Sequence, residues 1–168
     1  MTTRADELRD AFDGGFAAPP SAPDTGYGDV LCVRVGGEPY AIRLGDIASL
    51  HARLRIIGVP TAAPELIGVA AIRSAVVPIY DLAIALGMPG AGATPWIAVH
   101  RDGTAGFAFE GFEGHARIPE RSVSAGAQRG HLVGQVAVGG QPRSIVDLAS
   151  VLSALETRWN QSGTAKER

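Results

Sequence analysis

One stretch of this sequence, residues 66–87, limits the possible folds more than any other part of the chain. Two apolar runs, residues 66–72 and 75–80, are separated by only two polar residues, Arg73 and Ser74. Apolar runs joined by a two-residue connection are typical of a β-hairpin. The stretch therefore predicts two neighbouring antiparallel strands with a tight turn between them.

The end of the same stretch predicts a short helix. Asp81 stands directly before Leu82, Leu86 and Gly87, in the order of an N-cap, apolar helical positions and a helix stop. Pro78 lies inside the second apolar run. Because proline has no N–H to donate to a strand ladder, it predicts that this strand is at a sheet edge or bulges at that point.

The whole pattern occurs again 66 residues later, in residues 132–152. Chance similarity is the alternative, because Val, Leu and Gly are common in this chain. The matches occur together, however, and such a repeat predicts two similar small β units within one domain. The second copy carries Gly139 and Gly140 at the turn, so the fold itself does not require an arginine there. The matching pairs are Leu66/Leu132, Gly68/Gly134, Ile79/Ile145, Asp81/Asp147, Leu82/Leu148 and Leu86/Leu152.

Composition restricts the class of protein. The 168 residues suffice for one domain that buries roughly 70% of its unfolded surface. The formal net charge is −2 and no basic run is present, so we expect no nucleic-acid partner. The single cysteine, Cys32, is predicted to be a core residue. No signal-type apolar segment and no apolar stretch of about 18 residues occurs, so we expect a soluble, cytoplasmic protein without direct membrane insertion.

The pattern along the chain predicts three parts. Residues 1–28 are read as an arm with a short amphipathic helix at residues 3–12 and a linker rich in Gly, Ala and Pro. This arm is either a leader without fixed structure or a segment that docks on its own domain or on a partner. Residues 29–156 form the domain, with the crossover between its halves near residues 88–95. The polar tail, residues 157–168, is expected to fray.

Most of the domain predicts short strands. Residues 47–51 are read as either a short strand or a helical turn. Turn signals every 8 to 12 residues or so and few helical patterns indicate an all-β fold, and the two halves indicate two small barrels that share a core. The other predicted strands are residues 30–35, 40–44, 96–100, 105–109 and 112–118.

The sequence shows no convincing catalytic arrangement, metal site or cofactor motif. Asp81 and Asp147 are equivalent in the repeat, so an aspartic dyad is an alternative to helix capping for these two residues. Each is followed by Leu-Ala and an apolar helical pattern instead of the small residues of a dyad loop, which favours capping. The histidines lack the close spacing of metal ligands, and surface or strand-end positions are expected for them. They are His51, His100, His115 and His131.

Residues 68–82, GVAAIRSAVVPIYDL, resemble the signature of the CheW-like chemotaxis adaptor family, roughly G-V-x-N-L-R-G-x-x-V-P-V-x-D-L. The resemblance extends over residues 29–156. It implies two interlocked five-stranded SH3-like barrels with short helices, and a non-enzymatic adaptor of two-component signalling. Such adaptors couple methyl-accepting chemoreceptor tips to the regulatory domain of a CheA-type histidine kinase, which has the same fold. Other CheW-like domains are further possible partners.

By position, Arg73 matches the functional arginine of this family, and Ile47 and Leu50 match apolar positions near the receptor groove. Three departures stand out. The family's Asn and Gly beside the Leu-Arg pair are here Ala71 and Ser74. A neutral residue, Ser49, replaces a usual acidic one, and Glu65 replaces a frequent apolar one. Since serine disfavours positive φ, a changed hairpin is expected. The predicted partner-binding residues are Ile47, Ser49, Leu50, Ala71, Arg73, Ser74 and Val76.

Simpler interpretations of these residues stay open. Arg73 can be a solvated turn residue, although arginine is also a frequent interface anchor. Ile47, Leu50 and Val76 can be barrel core. The sequence thus predicts a non-catalytic adaptor that links receptor and kinase. The alternatives are a divergent CheW-like adaptor of a pilus, gliding or other chemosensory system, or a regulatory domain that has lost the receptor contact. A hydrolase on a two-lobed β fold is a further alternative of another class.

Overall fold

The structure, a computed structural model, describes residues 26–90, 92–125 and 129–164. The helix predicted at residues 3–12 lies outside the described residues, as does most of the arm predicted over residues 1–28. The strands in the described part are β1 (Tyr27–Val35), β2 (Glu38–Arg43), β3 (Ile47–Ala52), β4 (Leu66–Ile72), β5 (Ala75–Asp81), β6 (Trp96–His100), β7 (Gly106–Phe109), β8 (Gly111–Pro119), β9 (Leu132–Val138) and β10 (Gln141–Val146). Its α-helices are α1 (Leu82–Ala85) and α2 (Leu148–Thr164).

The strands form two five-stranded sheets. The first sheet has the order β8-β1-β2-β10-β9, and the second has the order β3-β6-β7-β5-β4. The N-terminal half of the chain places β1 and β2 in the first sheet and β3 to β5 in the second, whereas the C-terminal half does the reverse. The sheets therefore exchange strands, which confirms the predicted all-β architecture of two interlocked five-stranded units.

The sequence repeat is a structural duplication. The β4–β5 hairpin pairs in parallel with β7 through β5, and the β9–β10 hairpin pairs in parallel with β2 through β10. Outside each hairpin, one residue of the preceding segment bridges the outer strand, Ile57 to Val69 in one copy and Ser124 to Gln135 in the other. Val69 and Gln135 are 66 positions apart, which is the spacing of the repeat.

Gly68 and Gly134 have the same packing cause. Each lies where the preceding segment crosses the outer strand of its hairpin. A Cβ at Gly68 would overlap the carbonyl group of Ile57, and a Cβ at Gly134 would lie 2.8 Å from Cγ1 of Val123. A residue without a side chain is therefore needed where the two backbones approach.

The hydrophobic core has three parts. The largest lies between the sheets and includes α2, whose Leu148, Val151 and Leu155 are fully buried. A second cluster takes its buried residues from the second sheet alone, and a third takes them from the first sheet alone. Each sheet therefore curls around a core of its own and also packs on the shared core. Cys32 is buried and unpaired, as predicted.

The structure corrects the expectation for Pro78. Strand β5 is not an edge strand, since it runs between β4 and β7, and the register shift of the hairpin lies in β4. Val69 pairs with Pro78 but exchanges its hydrogen bonds with Ile57, so this pair needs no bond from proline. On the other side, pairing with β7 begins only at Ile79. Proline is tolerated because neither neighbouring strand requires its N–H.

The expected fraying of the tail is wrong for residues 157–164, because α2 continues to Thr164. The hydroxyl of Thr157 donates to the carbonyl of Ser153 at 2.9 Å. Nη1 of Arg158 lies 3.6 Å from Oε1 of Glu65. These contacts stabilise the helix past its buried part.

Candidate protein-binding site

The outward side of the β4–β5 hairpin is an uncharged apolar surface. We call it the hairpin face, and it consists of Ile57, Val69, Ala71, Val76 and Pro78. The residues that alternate with them along the strands are buried in the core of the second sheet. Val76 is 74% exposed and Ile57 is 59% exposed. Large apolar side chains exposed together in this way are typical of an interaction surface.

Strand pairing holds the hairpin face in two rows. Ala71 lies opposite Val76, and Val69 lies opposite Pro78. Ile57 extends the second row, since its N–H donates to Val69 at 2.8 Å and its carbonyl accepts from Val69 at 2.9 Å. The face is therefore built on backbone hydrogen bonds, and its shape is set before a partner binds.

The turn of this hairpin is strained. Arg73 and Ser74 have φ angles of 47° and 67°, and the equivalent Gly139 and Gly140 have φ angles of 59° and 80°. The expectation that Ser74 changes the hairpin is therefore wrong, because both turns adopt the same left-handed form. Such a backbone costs a residue with a side chain about 1 kcal/mol or more, and strain of this kind concentrates at functional sites.

Arg73 is exposed at the tip of the hairpin. Within the described residues the structure shows no hydrogen bond or ion pair for its guanidinium group. Residues 47–80 contain Arg53, Arg55 and Arg73 but only one acidic residue, Glu65, which is 4% exposed. This segment of the chain therefore carries more basic than acidic residues, although the whole chain does not. An acidic group of a partner would be favourable beside Arg73.

The remaining predicted partner-binding residues lie on another strand. Ile47, Ser49 and Leu50 belong to β3, which is the opposite edge of the second sheet from β4. Ile47 and Leu50 are half-buried and pack against the core between the sheets. Oγ of Ser49 lies 2.8 Å from Nε2 of His51. The structure thus brings the four predicted hairpin residues (Ala71, Arg73, Ser74, Val76) together and places these three at a separate edge.

Sequence reasoning missed three members of the hairpin face, Ile57, Val69 and Pro78. Strand alternation from Ala71 to Val69 and from Val76 to Pro78 was a signal for two of them. Ile57 gave no local signal, because its place depends on a bridge to a strand that comes later in the chain.

The second hairpin has no equivalent surface. Gln135 and Ser144 stand at the positions of Val69 and Pro78, so this face is more polar. Its turn carries Gly139 and Gly140 and therefore no charge. An apolar face beside an exposed arginine is a property of the first hairpin and not of the repeated fold.

The second hairpin instead carries a buried arginine. Arg143 stands where the first hairpin has Val77, and its Nη2 donates to Oε2 of Glu113 at 2.6 Å. Oε1 of Glu113 accepts from Nε and Nη2 of Arg34 at 3.0 and 2.5 Å. The hydrogen bonds from Arg143, and then those from Arg34, lower the pKa of Glu113. Glu113 is the residue left unpaired by a bulge in β8, and its carboxylate ties β1, β8 and β10 together.

Asp81 and Asp147 are helix caps. Oδ1 of Asp81 accepts from the N–H groups of Ala83 and Ile84 at 2.9 and 3.2 Å. Oδ1 of Asp147 accepts from the N–H of Ser150 at 3.1 Å. The two carboxyl groups follow strands of different sheets and each bonds to its own helix. Their geometry is that of capping and not of a pair that shares a proton.

Each histidine has a different neighbour. The pairs are His51–Ser49, His100–Asp102, His115–Asp29 and His131–Ser150. Within residues 26–90, 92–125 and 129–164, no group of three or more His, Cys, Asp or Glu side chains is placed to hold a metal ion.

Comparison with known families agrees with this geometry. A family model described as the CheW-like domain matches residues 29–156. The chain belongs to the CheW-like family. Its fold is similar to that of the scaffolding protein TtCheW from Thermoanaerobacter tengcongensis, with a TM-score of 0.64 and 16% sequence identity. That match covers 71% of this CheW-like chain and 88% of TtCheW.

A search of curated protein sequences finds no match to this CheW-like chain. Family membership confirms the resemblance drawn from residues 68–82. In the part of the chain that the structure describes, neither helix is long and apolar enough to cross a membrane.

Proposed function

We propose that this CheW-like chain is a non-catalytic adaptor that couples chemoreceptors to a CheA-type histidine kinase in a chemosensory array. One observation carries the proposal of a binding site. Arg73 is exposed and has no partner among the described residues, and it stands in a strained turn beside an exposed apolar face. We propose the hairpin face together with Arg73 as a partner-binding surface.

This surface is suited to docking. Arginine and large apolar side chains are common anchors of interfaces, because the guanidinium group reaches several acceptors while the apolar groups lose contact with water. The backbone bonds between Ile57 and Val69 hold the apolar part in place. Arg73 stands at its end, whereas Asp81, the acidic residue of the same hairpin, is buried at the far end of β5 and caps α1.

An adaptor needs two surfaces that can be occupied together. We assign the receptor tip to the β3 edge with Ile47, Ser49 and Leu50, because the resemblance places the two apolar residues near the receptor groove. The hairpin face is at the opposite edge of the same sheet. We assign it to the kinase regulatory domain, with another CheW-like domain as a further partner of the same kind.

The alternative is an adaptor of a pilus, gliding or other chemosensory system with an altered receptor contact. It is favoured by Ser49, which is neutral where the family usually has an acidic residue. Ser49 also bonds to His51 within the same strand, so its hydroxyl is already engaged.

Calorimetric titration tests the proposal. The wild type, Arg73→Glu and a matched control, Arg121→Glu, are titrated with the regulatory domain of a CheA-type kinase from the same cell. Arg121 is a suitable control because it is an exposed arginine that follows β8 of the first sheet, away from the hairpin face. A receptor-tip fragment is titrated separately. We expect roughly ten-fold or greater loss of kinase-domain affinity for Arg73→Glu and little change for Arg121→Glu. Melting curves check that both variants fold.

Two results contradict the proposal at different levels. If Arg73→Glu binds both partners as the wild type does, the hairpin tip is not the binding surface. If the folded wild type binds neither partner, the chain does not couple this receptor to this kinase.

A further inference from the structure

We propose that β4 is a site of strand addition, at which an extended segment of the kinase-side partner pairs its backbone with Ala71. This inference rests on the function proposed above and deepens it. It concerns how the partner binds, and the partner is the one assigned to the hairpin face.

The backbone of Ala71 points to the open side of the sheet. Strand β4 is the last strand of the second sheet, so only β5 pairs along its length. The N–H and carbonyl of Val69 point away from β5, since both bond to Ile57. Ala71 is two residues further along the strand, so its N–H and carbonyl point the same way.

The turn supports this alternation independently. In a hairpin with a two-residue turn, the residues that flank the turn exchange hydrogen bonds, and here these residues are Ile72 and Ala75. The next pair, Ala71 and Val76, is then not hydrogen-bonded across the hairpin. The pair of Val69 with Pro78 follows the same rule, and proline is tolerated there for this reason.

The open edge at Ala71 is short. Ile57 covers the edge at Val69, but this bridge is isolated and does not continue to Ala71. Outside the β4–β5 ladder, no backbone hydrogen bond joins Ala71 to another described residue, and Ala71 is exposed. An unpaired donor and acceptor on an edge strand are a template for another strand. They point away from β5, to the side of β4 on which Ile57 bonds to Val69.

The surroundings define the chemistry of the added segment. Its backbone supplies one acceptor and one donor to Ala71. An acidic side chain of the segment reaches Arg73, and an apolar side chain packs beside Ile57, which lies on the same side of β4. In this mode of recognition the main-chain bonds supply affinity and the side-chain pockets supply specificity. Because Ile57 closes the edge beyond Ala71, the added strand is short. The side chains therefore contribute a large share of the binding free energy.

Amide hydrogen exchange measured by NMR tests the pairing without any substitution. The probe is the kinase regulatory domain used in the titration. We expect the Ala71 amide to exchange readily in the free protein and to be protected by roughly ten-fold or more in the complex. The Val69 amide, which already donates to Ile57, is the protected reference. Ala137, the equivalent of Ala71 in the second hairpin, is the matched control and stays unprotected.

A pair of proline variants gives a second readout. Ala71→Pro removes the donor that the added strand needs, and Ala137→Pro makes the same change at the equivalent edge of the first sheet. We expect roughly ten-fold weaker binding for Ala71→Pro and unchanged binding for Ala137→Pro. If Ala71→Pro does not fold, the exchange result in the wild type decides.

The outcomes separate this inference from the proposed function. If Arg73→Glu weakens binding while the Ala71 amide stays unprotected in the complex, strand addition is wrong and the hairpin face remains the binding surface. If Arg73→Glu has no effect, the assignment of the surface itself fails. Strand addition is supported if the amide of Ala71, but not that of Ala137, is protected from exchange in the complex and if Ala71→Pro binds the kinase domain more weakly than the wild type.

Discussion

Arg73 and Gly139 occupy the same position in two hairpin turns that are 66 residues apart, with φ angles of 47° and 59°. The second turn reaches this backbone form with two glycines, which adopt it without strain. The first turn reaches it with Arg73 and Ser74. The first hairpin thus keeps side chains at two positions where glycine would fit without strain, as the binding role proposed for Arg73 would require.

Glycine at either position of the first turn should therefore stabilise the protein. We expect Ser74→Gly and Arg73→Gly each to raise the free energy of unfolding by about 0.5–1 kcal/mol, because the left-handed strain is relieved. Only Arg73→Gly should also weaken binding of the kinase regulatory domain. Urea denaturation measures the first quantity and calorimetric titration the second.

The matched control for the turn is Gly139→Ser, which introduces the same strain into the second hairpin. It should lower the free energy of unfolding and leave binding unchanged. A less stable Arg73→Gly variant would show that the turn residues stabilise the hairpin, contrary to this account.

The two crossing glycines should respond differently to alanine. At Gly68 the new Cβ would overlap the backbone carbonyl oxygen of Ile57. At Gly134 it would lie 2.8 Å from the side chain of Val123 and 3.0 Å from the carbonyl oxygen of Ser124, a looser backbone contact. A side chain can move more easily than a backbone. We expect Gly68→Ala to lower the free energy of unfolding by about 2–3 kcal/mol and Gly134→Ala by about 1 kcal/mol, measured by urea denaturation. If both variants lose the same free energy of unfolding, the neighbours of the two glycines move aside equally easily and this account of the crossings is wrong.

Glu113 should make the protein sensitive to acid. Its pKa is lowered from 4.5, mainly by hydrogen bonds from Arg143 and Arg34. The unfolded chain therefore binds this proton more readily than the folded chain does. The free energy of unfolding then falls as the pH drops below 4.5 towards the lowered pKa. Urea denaturation at a series of pH values measures this slope.

The variant Glu113→Gln isolates this carboxyl group. It should be less stable than the wild type at neutral pH by about 2–3 kcal/mol, since Arg143 keeps its buried charge but loses the carboxylate. Its stability should also depend less on pH just below 4.5. The pKa of Asp102 is lowered to about 2, chiefly by its hydrogen bonds to Thr104. Asp102 therefore changes the free energy of unfolding only at lower pH. Parallel pH curves for variant and wild type would assign the acid sensitivity to other groups.

The two capping aspartates should act on stability alone. Asp81 is buried and caps with two bonds, and Asp147 caps with one. We expect Asp81→Ala to lower the free energy of unfolding by about 1–2 kcal/mol and Asp147→Ala by about 0.5–1 kcal/mol, as melting curves would show. Titration with the kinase domain should be unchanged for both folded variants. A hydrolytic turnover lost in both folded variants would instead favour an enzyme.

Local patterns predicted the parts of the fold that depend on neighbouring residues. The hairpin around Arg73 and Ser74, the cap at Asp81 and the duplication at residues 132–152 all follow from short-range spacing and turn chemistry. The strand at residues 47–51 was ambiguous, because its pairing partner β6 comes much later in the chain.

Features that depend on distant partners could not be predicted in this way. Arg143 turns inward because Glu113 and Arg34 meet it there. Ile57 joins the hairpin face because it bridges Val69. The helix α2 extends past residue 156 without a local capping signal. The candidate site was therefore found in part, as the hairpin tip, and its apolar face emerged only from strand pairing.

The most direct test of the adaptor role asks whether one molecule of this chain holds both partners at once. Size-exclusion chromatography with light scattering is run on the chain mixed with the kinase regulatory domain and a receptor-tip fragment. The two partners without the chain serve as the reference. The account predicts a complex of all three that requires the chain and is lost with Arg73→Glu. If instead the kinase domain and the receptor fragment displace each other from the chain, they compete for one surface, and the coupling by two separate edges is wrong.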